Sequence, residues 1–251
     1  MRIFAGPNGS GKSTIINSVR NYRIKNRPID FGIYINADDI AKILRDGKFS
    51  FEVYEIKTNN SEFQETALRS GLISNDFNKN IFTSSYRFYN NKIQLINKKA
   101  DERLAQILAD FIRKKLLLEK KKFSFETVFS HPSKLDIIQK AVEEGYKVYL
   151  YFVSTETPDI NKYRVEVRAM QGGHNVDPQK IESRYYRSLE LLYTASQFCY
   201  QTYFFDNSED GKNFKLIAHF KKNKDKKTWD SIDTKRLPEW FVKYYLNKIK
   251  I

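Results

Sequence analysis

The chain has 251 residues, a formal net charge of +14 and one cysteine. That is apolar material for one sizeable core, with room for an inserted subdomain. A lone cysteine excludes a disulfide framework and zinc clusters of the multi-cysteine type. No apolar run reaches the ~18 residues that span a membrane, and a motif beginning at residue 6 leaves no room for a signal peptide, so a reduced, cytoplasmic setting is expected.

Arg2-Ile3-Phe4-Ala5 reads as a short strand. It leads into Gly6-Pro7-Asn8-Gly9-Ser10-Gly11-Lys12-Ser13-Thr14, which fits the phosphate-binding P-loop pattern G-x-x-x-x-G-K-[ST]. Glycines let the backbone turn tightly and aim several N–H groups at one anion. Ile15, Ile16 and Val19 give the following helix a buried face, and the positive end of that helix points at the same phosphates. Gly6, Asn8, Gly9, Ser10, Gly11, Lys12, Ser13 and Thr14 are therefore the candidate nucleotide site. Lys12 is expected to reach the β- and γ-phosphates of ATP, and the Ser13 hydroxyl to ligate Mg²⁺.

After a basic connection, 21–30, residues 32–36 read as a second strand running into a helix with Ile40, Ile43 and Leu44 on one face. Asp38 and Asp39 stand at its start, where carboxylates cap helices. Asp38 is also placed to accept a hydroxyl proton, as a kinase base would. Residues 45–92 lack a long period and read as an insertion at a βα loop. Ile93, Ile96, Ala100, Leu104, Ile107, Leu108, Phe111 and Ile112 then mark one long helix.

Residues 123–129 form a strand with Glu126 and Thr127 near its end, expected to touch the acceptor or orient Mg²⁺. Leu135, Ile138 and Val142 mark a helix stopped at Gly145. A strand follows over 147–153. Pro158 opens a helix carrying Arg164 and Arg168, four apart and so on one face, where arginines can stabilise a phosphoryl group in transfer. Gly172-Gly173 is either a lid hinge or a helix stop, and His174 is read as structural to the lid. Asp177-Pro178 caps a helix bearing Arg184 and Arg187, either of which fits a nucleotide or acceptor phosphate or a solvated pairing. A strand over 201–206, a turn, a terminal strand over 214–220, a basic loop and an aromatic C-terminal helix complete the chain. Alternating strands and helices imply an α/β fold with a mostly parallel sheet covered on both faces. Sites in such sheets lie at the carboxyl ends of the strands.

The positive charge attracts anions such as nucleic acid, nucleotides or sugar nucleotides. Its clusters at 114–115, 120–122 and 221–227 read first as a solvated face and a loop. Tyr86-Arg87-Phe88-Tyr89 interleaves rings with a cation, which keeps a nucleic-acid surface open.

Taken in order, the P-loop, Ile35-Asn36-Ala37-Asp38-Asp39-Ile40, Ser124-Phe125-Glu126-Thr127, Arg164 and Arg168 with Gly172-Gly173-His174-Asn175-Val176, Arg184-Tyr185-Tyr186-Arg187-Ser188-Leu189 and Asp206-Asn207-Ser208 resemble the zeta-toxin-like P-loop kinases. The resemblance covers about residues 1–45 and 100–210. It implies a single P-loop kinase domain with an adenylate-kinase-like three-layer sandwich, and ATP/Mg²⁺-dependent phosphorylation of a hydroxyl on a small molecule. In zeta toxins proper that acceptor is UDP-N-acetylglucosamine. Asp38 matches their base and Arg168 a lid arginine on the transferred phosphate, with Arg164 as its companion. The lid is shorter here, and the insertion at 45–92 departs from the pattern where the acceptor pocket is shaped. Zeta toxins have antitoxin partners, and none can be read from this chain. A polynucleotide or nucleotide kinase and an ATP-binding regulatory module remain the alternatives.

Overall fold

The computed structural model describes residues 1–173, 175–223, 226–230 and 237–249. His174 and part of the basic run at 221–227 lie outside the described residues. In chain order the elements are β1 (Arg2–Ala5), α1 (Lys12–Asn21), β2 (Arg23–Ile24), β3 (Arg27–Pro28), β4 (Ile33–Ile35), α2 (Ala37–Asp46), β5 (Lys48–Ser50), α3 (Asn60–Leu68), α4 (Lys79–Ser84), β6 (Tyr86–Tyr89), β7 (Lys92–Leu95), α5 (Asp101–Leu118), β8 (Phe123–Thr127), α6 (Ser133–Glu143), β9 (Tyr149–Ser154), α7 (Pro158–Met170), α8 (Pro178–Phe198), β10 (Gln201–Asp206), β11 (Lys215–Asn223) and β12 (Lys226–Trp229). A last helical stretch covers residues 239–249. No helix among the described residues is long and apolar enough to cross a membrane.

The main sheet has seven strands in the order β12-β11-β10-β9-β1-β8-β4. β1 runs parallel to β8 and β9, and β10 parallel to β9. β11 turns back antiparallel to β10, and β12 antiparallel to β11, so the sheet is mostly parallel with an antiparallel edge. A strand pair at this edge replaces the single terminal strand read from the sequence. The chain falls into two compact units, residues 1–31 with 124–251, and residues 32–123.

In the first unit, alternate residues of the strands serve two faces, as the period of two requires. On one face Phe204 meets Phe241 at 4.9 Å and Tyr245 at 4.6 Å between ring centroids, and Phe152 meets Trp240 at 6.0 Å. On the other, Phe31, Phe4, Tyr151, Tyr203 and His219 form a row of stacked rings from strand to strand, with centroids 4.1–5.2 Å apart. The helices of this unit begin and end where local chemistry dictates. Asp177 accepts the Gln179 N–H at 2.7 Å with Pro178 as the first helical residue. Gly172 takes φ +85°, Gly172 N–H bonds Ala169 O, and Gly173 N–H bonds Arg168 O. That pair of bonds is a Schellman stop, so the two glycines end α7. Gly145 ends α6 in the same way. α6 buries Ile137, Ile138 and Ala141, while Val142 faces solvent.

The second unit is organised around an aromatic cluster. Phe51 contacts Phe49, Phe63, Phe88 and Phe111, and Phe63 contacts Phe82 and Tyr86, all within 6.1 Å between centroids. β5, β7 and β6 form a three-stranded antiparallel sheet here. Asn90 and Asn91, both at positive φ, make the two-residue hairpin turn. Two readings of this stretch change. Ile93 lies on β7 and is buried there, so the long helix begins at Asp101 rather than at Ile93. The rings of Tyr86 and Phe88 belong to the aromatic cluster, so their alternation with Arg87 reflects the two faces of a strand. In α2, Asn36 is the cap, accepting the Asp38 N–H at 2.8 Å. The two aspartates fill the first turn instead, and Ala41 joins Ile40 and Leu44 in the core while Ile43 is 39% exposed.

Candidate active site

β1 delivers the chain into the loop 6–11, and α1 begins at Lys12. Gly9 and Gly11 hold φ of +75° and +98°, a region in which a side chain is strained. There is also no space for one. A Cβ on Gly9 would lie 2.6 Å from the Asn161 carbonyl oxygen, and a Cβ on Gly11 would collide with the Asn207 side-chain amide. No side chain caps α1 and no acidic residue stands in its first turn. Ser13 and Thr14, at the positive end of the helix, are exposed.

Lys12 is buried and donates to the carbonyls of Gly6 at 3.0 Å and Pro7 at 2.9 Å. Its ammonium also lies 3.8 Å from the Glu126 carboxylate. This pairing follows from the sheet, because β1 and β8 are parallel neighbours in register Phe4 with Glu126. Thr127 is turned to a local task, accepting the Phe129 N–H at 3.2 Å.

Three side chains grip the loop from outside. Asn161 of α7 donates to Asn8 O at 2.5 Å. Asn207, just beyond β10, donates to Ser10 O at 2.9 Å. Arg184 of α8 reaches the Asn8 side chain at 3.5 Å. Arg187 instead donates to Ser183 O on its own helix at 3.1 Å. Tyr185 anchors the loop after β9, donating to the carbonyls of Thr155 and Glu156 at 2.7 and 2.9 Å. Burial pushes the Tyr185 hydroxyl pKa well above its ordinary value, so it stays a donor.

Arg164 donates to Asn207 O at 2.7 Å and pairs with Asp210 at 3.3 Å. With Tyr163, Val167, Arg168, Gln171 and Asp210 it lines a cleft of about 240 Å³. Both arginines thus face one cavity, and Arg164 is joined through Asn207 to the P-loop. Asp38 belongs to the other unit, exposed in the first turn of α2.

A Mg²⁺ ion carried by a nucleotide needs few protein oxygens. Among the described residues no cluster of three or more His, Cys, Asp or Glu side chains could hold a metal ion. Mg²⁺ in such sites takes one or two protein oxygens, with phosphate and water completing its shell. The exposed Ser13 hydroxyl, at the start of α1, is of that kind.

Asn161 was not legible as a site residue. Its one signal is a polar side chain in the buried stripe Pro158, Asn161, Val165 of α7.

No protein-family model and no curated protein matches the chain. Solved structures do. A chain of the AvrRxo1-ORF1:AvrRxo1-ORF2 complex with sulphate ions is similar over 97% of this chain and 63% of that one, at 13% identity and a TM-score of 0.53. A chain of AvrRxo1-ORF1:-ORF2 with ATP is similar over 87% and 57%, at 14% identity and a TM-score of 0.46. A chain of the PezAT toxin-antitoxin system of Streptococcus pneumoniae is similar over 82% and 68%, at 12% identity and a TM-score of 0.43. The protein spans less than two thirds of the AvrRxo1 chains that it matches. At these identities the likeness is one of fold alone, and it is with the first of these chains that the fold is shared.

Proposed function

We propose that the protein is an ATP- and Mg²⁺-dependent kinase that transfers the γ-phosphoryl group to a hydroxyl of a small molecule, a sugar nucleotide such as UDP-N-acetylglucosamine being the first acceptor to try. One observation carries this reading. Lys12, at the head of an uncapped helix, shares its ammonium between the loop carbonyls and Glu126. A P-loop lysine held this way is ready to exchange carbonyl partners for phosphate oxygens.

In this reading Lys12 and the loop amides bind the β- and γ-phosphates, and the Ser13 hydroxyl holds Mg²⁺, which neutralises phosphate charge when bound. Arg168, with Arg164 beside it, meets the charge that develops on the transferred group. Asp38 takes the acceptor's hydroxyl proton. Glu126 and Thr127 hold the acceptor, and Arg184 a phosphate. A partner of the antitoxin type is part of the same proposal.

The test is transfer from γ-labelled ATP to a panel of UDP-sugars, nucleosides and oligonucleotides with Mg²⁺ present. Labelling of a sugar nucleotide supports the reading, and ATP hydrolysis without transfer to any acceptor sinks it. The net charge of +14 favours one second reading, a polynucleotide kinase. Oligonucleotide labelling that collapses as salt rises would select it.

A further inference from the structure

A phosphate-binding loop works only while its N–H groups converge on one point. Convergent amides force the carbonyls of the same loop outward, and each outward carbonyl needs a donor or water. Here two of those carbonyls are met by side-chain amides from elsewhere in the fold. Asn161 donates to Asn8 O and Asn207 to Ser10 O, at 2.5 and 2.9 Å. Each asparagine also occupies the space that a side chain at Gly9 or Gly11 would need.

Both are held from behind. Asn161 is fully buried, and its carbonyl oxygen accepts the Thr155 hydroxyl. Asn207 receives Arg164 on its backbone carbonyl at 2.7 Å, and its N–H donates to Ser154 O at 2.9 Å. The preceding Asp206 accepts the Trp240 indole N–H at 3.0 Å and the Ser208 hydroxyl at 2.7 Å. The C-terminal helical stretch is tied to the loop after β9 as well, through the Glu239 N–H on the Glu156 carboxylate at 2.9 Å. A line of hydrogen bonds and chain therefore runs from Trp240 through Asp206 and Asn207 to Ser10.

We propose that Asn161 and Asn207 are positioning residues for phosphate binding, holding the P-loop carbonyls outward, and that Trp240 extends this support into the C-terminal stretch. Neither asparagine needs to touch the nucleotide. The proposal rests on the nucleotide-binding reading above, and makes Arg164 a support of the loop through Asn207 in addition to any contact with phosphate.

The test uses the full chain and displacement of a fluorescent ATP analogue by ATP, inorganic triphosphate and adenosine. Asn207→Leu keeps the approximate shape and removes the donor. Losing one such bond should weaken ATP and triphosphate about tenfold and leave adenosine unchanged. Asn207→Ser, which keeps a donor, should recover part of the loss. Trp240→Phe keeps the ring against Phe152 and should lose about two- to threefold, again for the phosphates alone. Equal loss for adenosine and triphosphate, or unchanged triphosphate affinity in a folded Asn207→Leu, would overturn the proposal. Should Asn207→Leu not fold, Asn207→Ser and Trp240→Phe decide by the same selectivity. A wild-type chain that binds neither ATP nor triphosphate removes the nucleotide reading itself, and the proposal with it.

Discussion

The Lys12 ammonium and the Glu126 carboxylate face each other at 3.8 Å across the parallel strands β1 and β8. Phosphates must win Lys12 away from this carboxylate and from two loop carbonyls. Glu126→Gln removes the competing charge, so ATP should bind about two- to fivefold tighter, an effect that fades with salt. The turnover number should fall, because Glu126 also faces the acceptor in the proposed mechanism. Lys12→Ala should weaken ATP about 10- to 100-fold, as loss of a charged hydrogen bond does. Titration with ATP at two ionic strengths checks both variants; unchanged affinity and turnover in Glu126→Gln would remove that residue from the site.

Gly11→Ala tests the loop backbone. Its φ of +98° and the Asn207 amide pressed against it leave no place for a methyl group. The strain, about 1–3 kcal/mol, should appear as lost nucleotide affinity. Gly47→Ala is the control, since a Cβ there would meet nothing within 4 Å. Equal ATP affinity in the two variants would argue against a rigid loop.

Asp38 gives the sharpest test of chemistry. Asp38→Asn keeps the Asn36 cap, because that bond uses the Asp38 backbone N–H. Loss of a general base should lower turnover by about 10²–10⁴-fold with ATP affinity unchanged. Single-turnover transfer assays read this directly. Wild-type rates in this variant would move the base elsewhere.

Cys199 closes α8 in a fully buried position. Burial pushes its thiol from 9.0 up to about 12, against the opposing Lys222 and Lys227 charges. The folded state therefore holds the thiol neutral more tightly than the unfolded chain does. Its contribution to stability is present below pH 9 and is lost as pH rises from 9 towards 12. At pH 8 a thiol-reactive chromophore should find no reactive group in the native protein and one equivalent after denaturation. Fast native labelling would show that this end of α8 opens readily.

The elements around the glycine-rich loop are legible because their signals are local. A glycine-rich loop between an apolar strand and an amphipathic helix, a proline after an aspartate, and a glycine past a helix end each carry their own geometry. Errors arose where distance in space decides. Ile93 and Ile96 continued the spacing of α5 by coincidence, since a strand residue and a loop residue can fall three apart. The aspartate pair hid Asn36, the better-placed cap. Ile43 and Val142 are apolar yet faced outward, which no single helix can announce. Asn161 looked like an ordinary polar residue because its partner, Asn8, lies far along the chain. The Trp240 indole N–H gave no hint that a carboxylate at the end of β10 would receive it.

The order of the sheet has a consequence for how the protein is made. β1 precedes the other strands of its sheet in the chain, yet its neighbours β8 and β9 begin only at Phe123 and Tyr149. The segment 32–123, with its own aromatic cluster, is complete before either neighbour exists. The P-loop therefore leaves the ribosome early and acquires its shape late, when the long closure between β1 and its partners has formed. In pulsed hydrogen exchange during refolding, amides of α5 should gain protection before those of β1. A nascent chain stalled before residue 124 should carry the whole motif and bind no nucleotide.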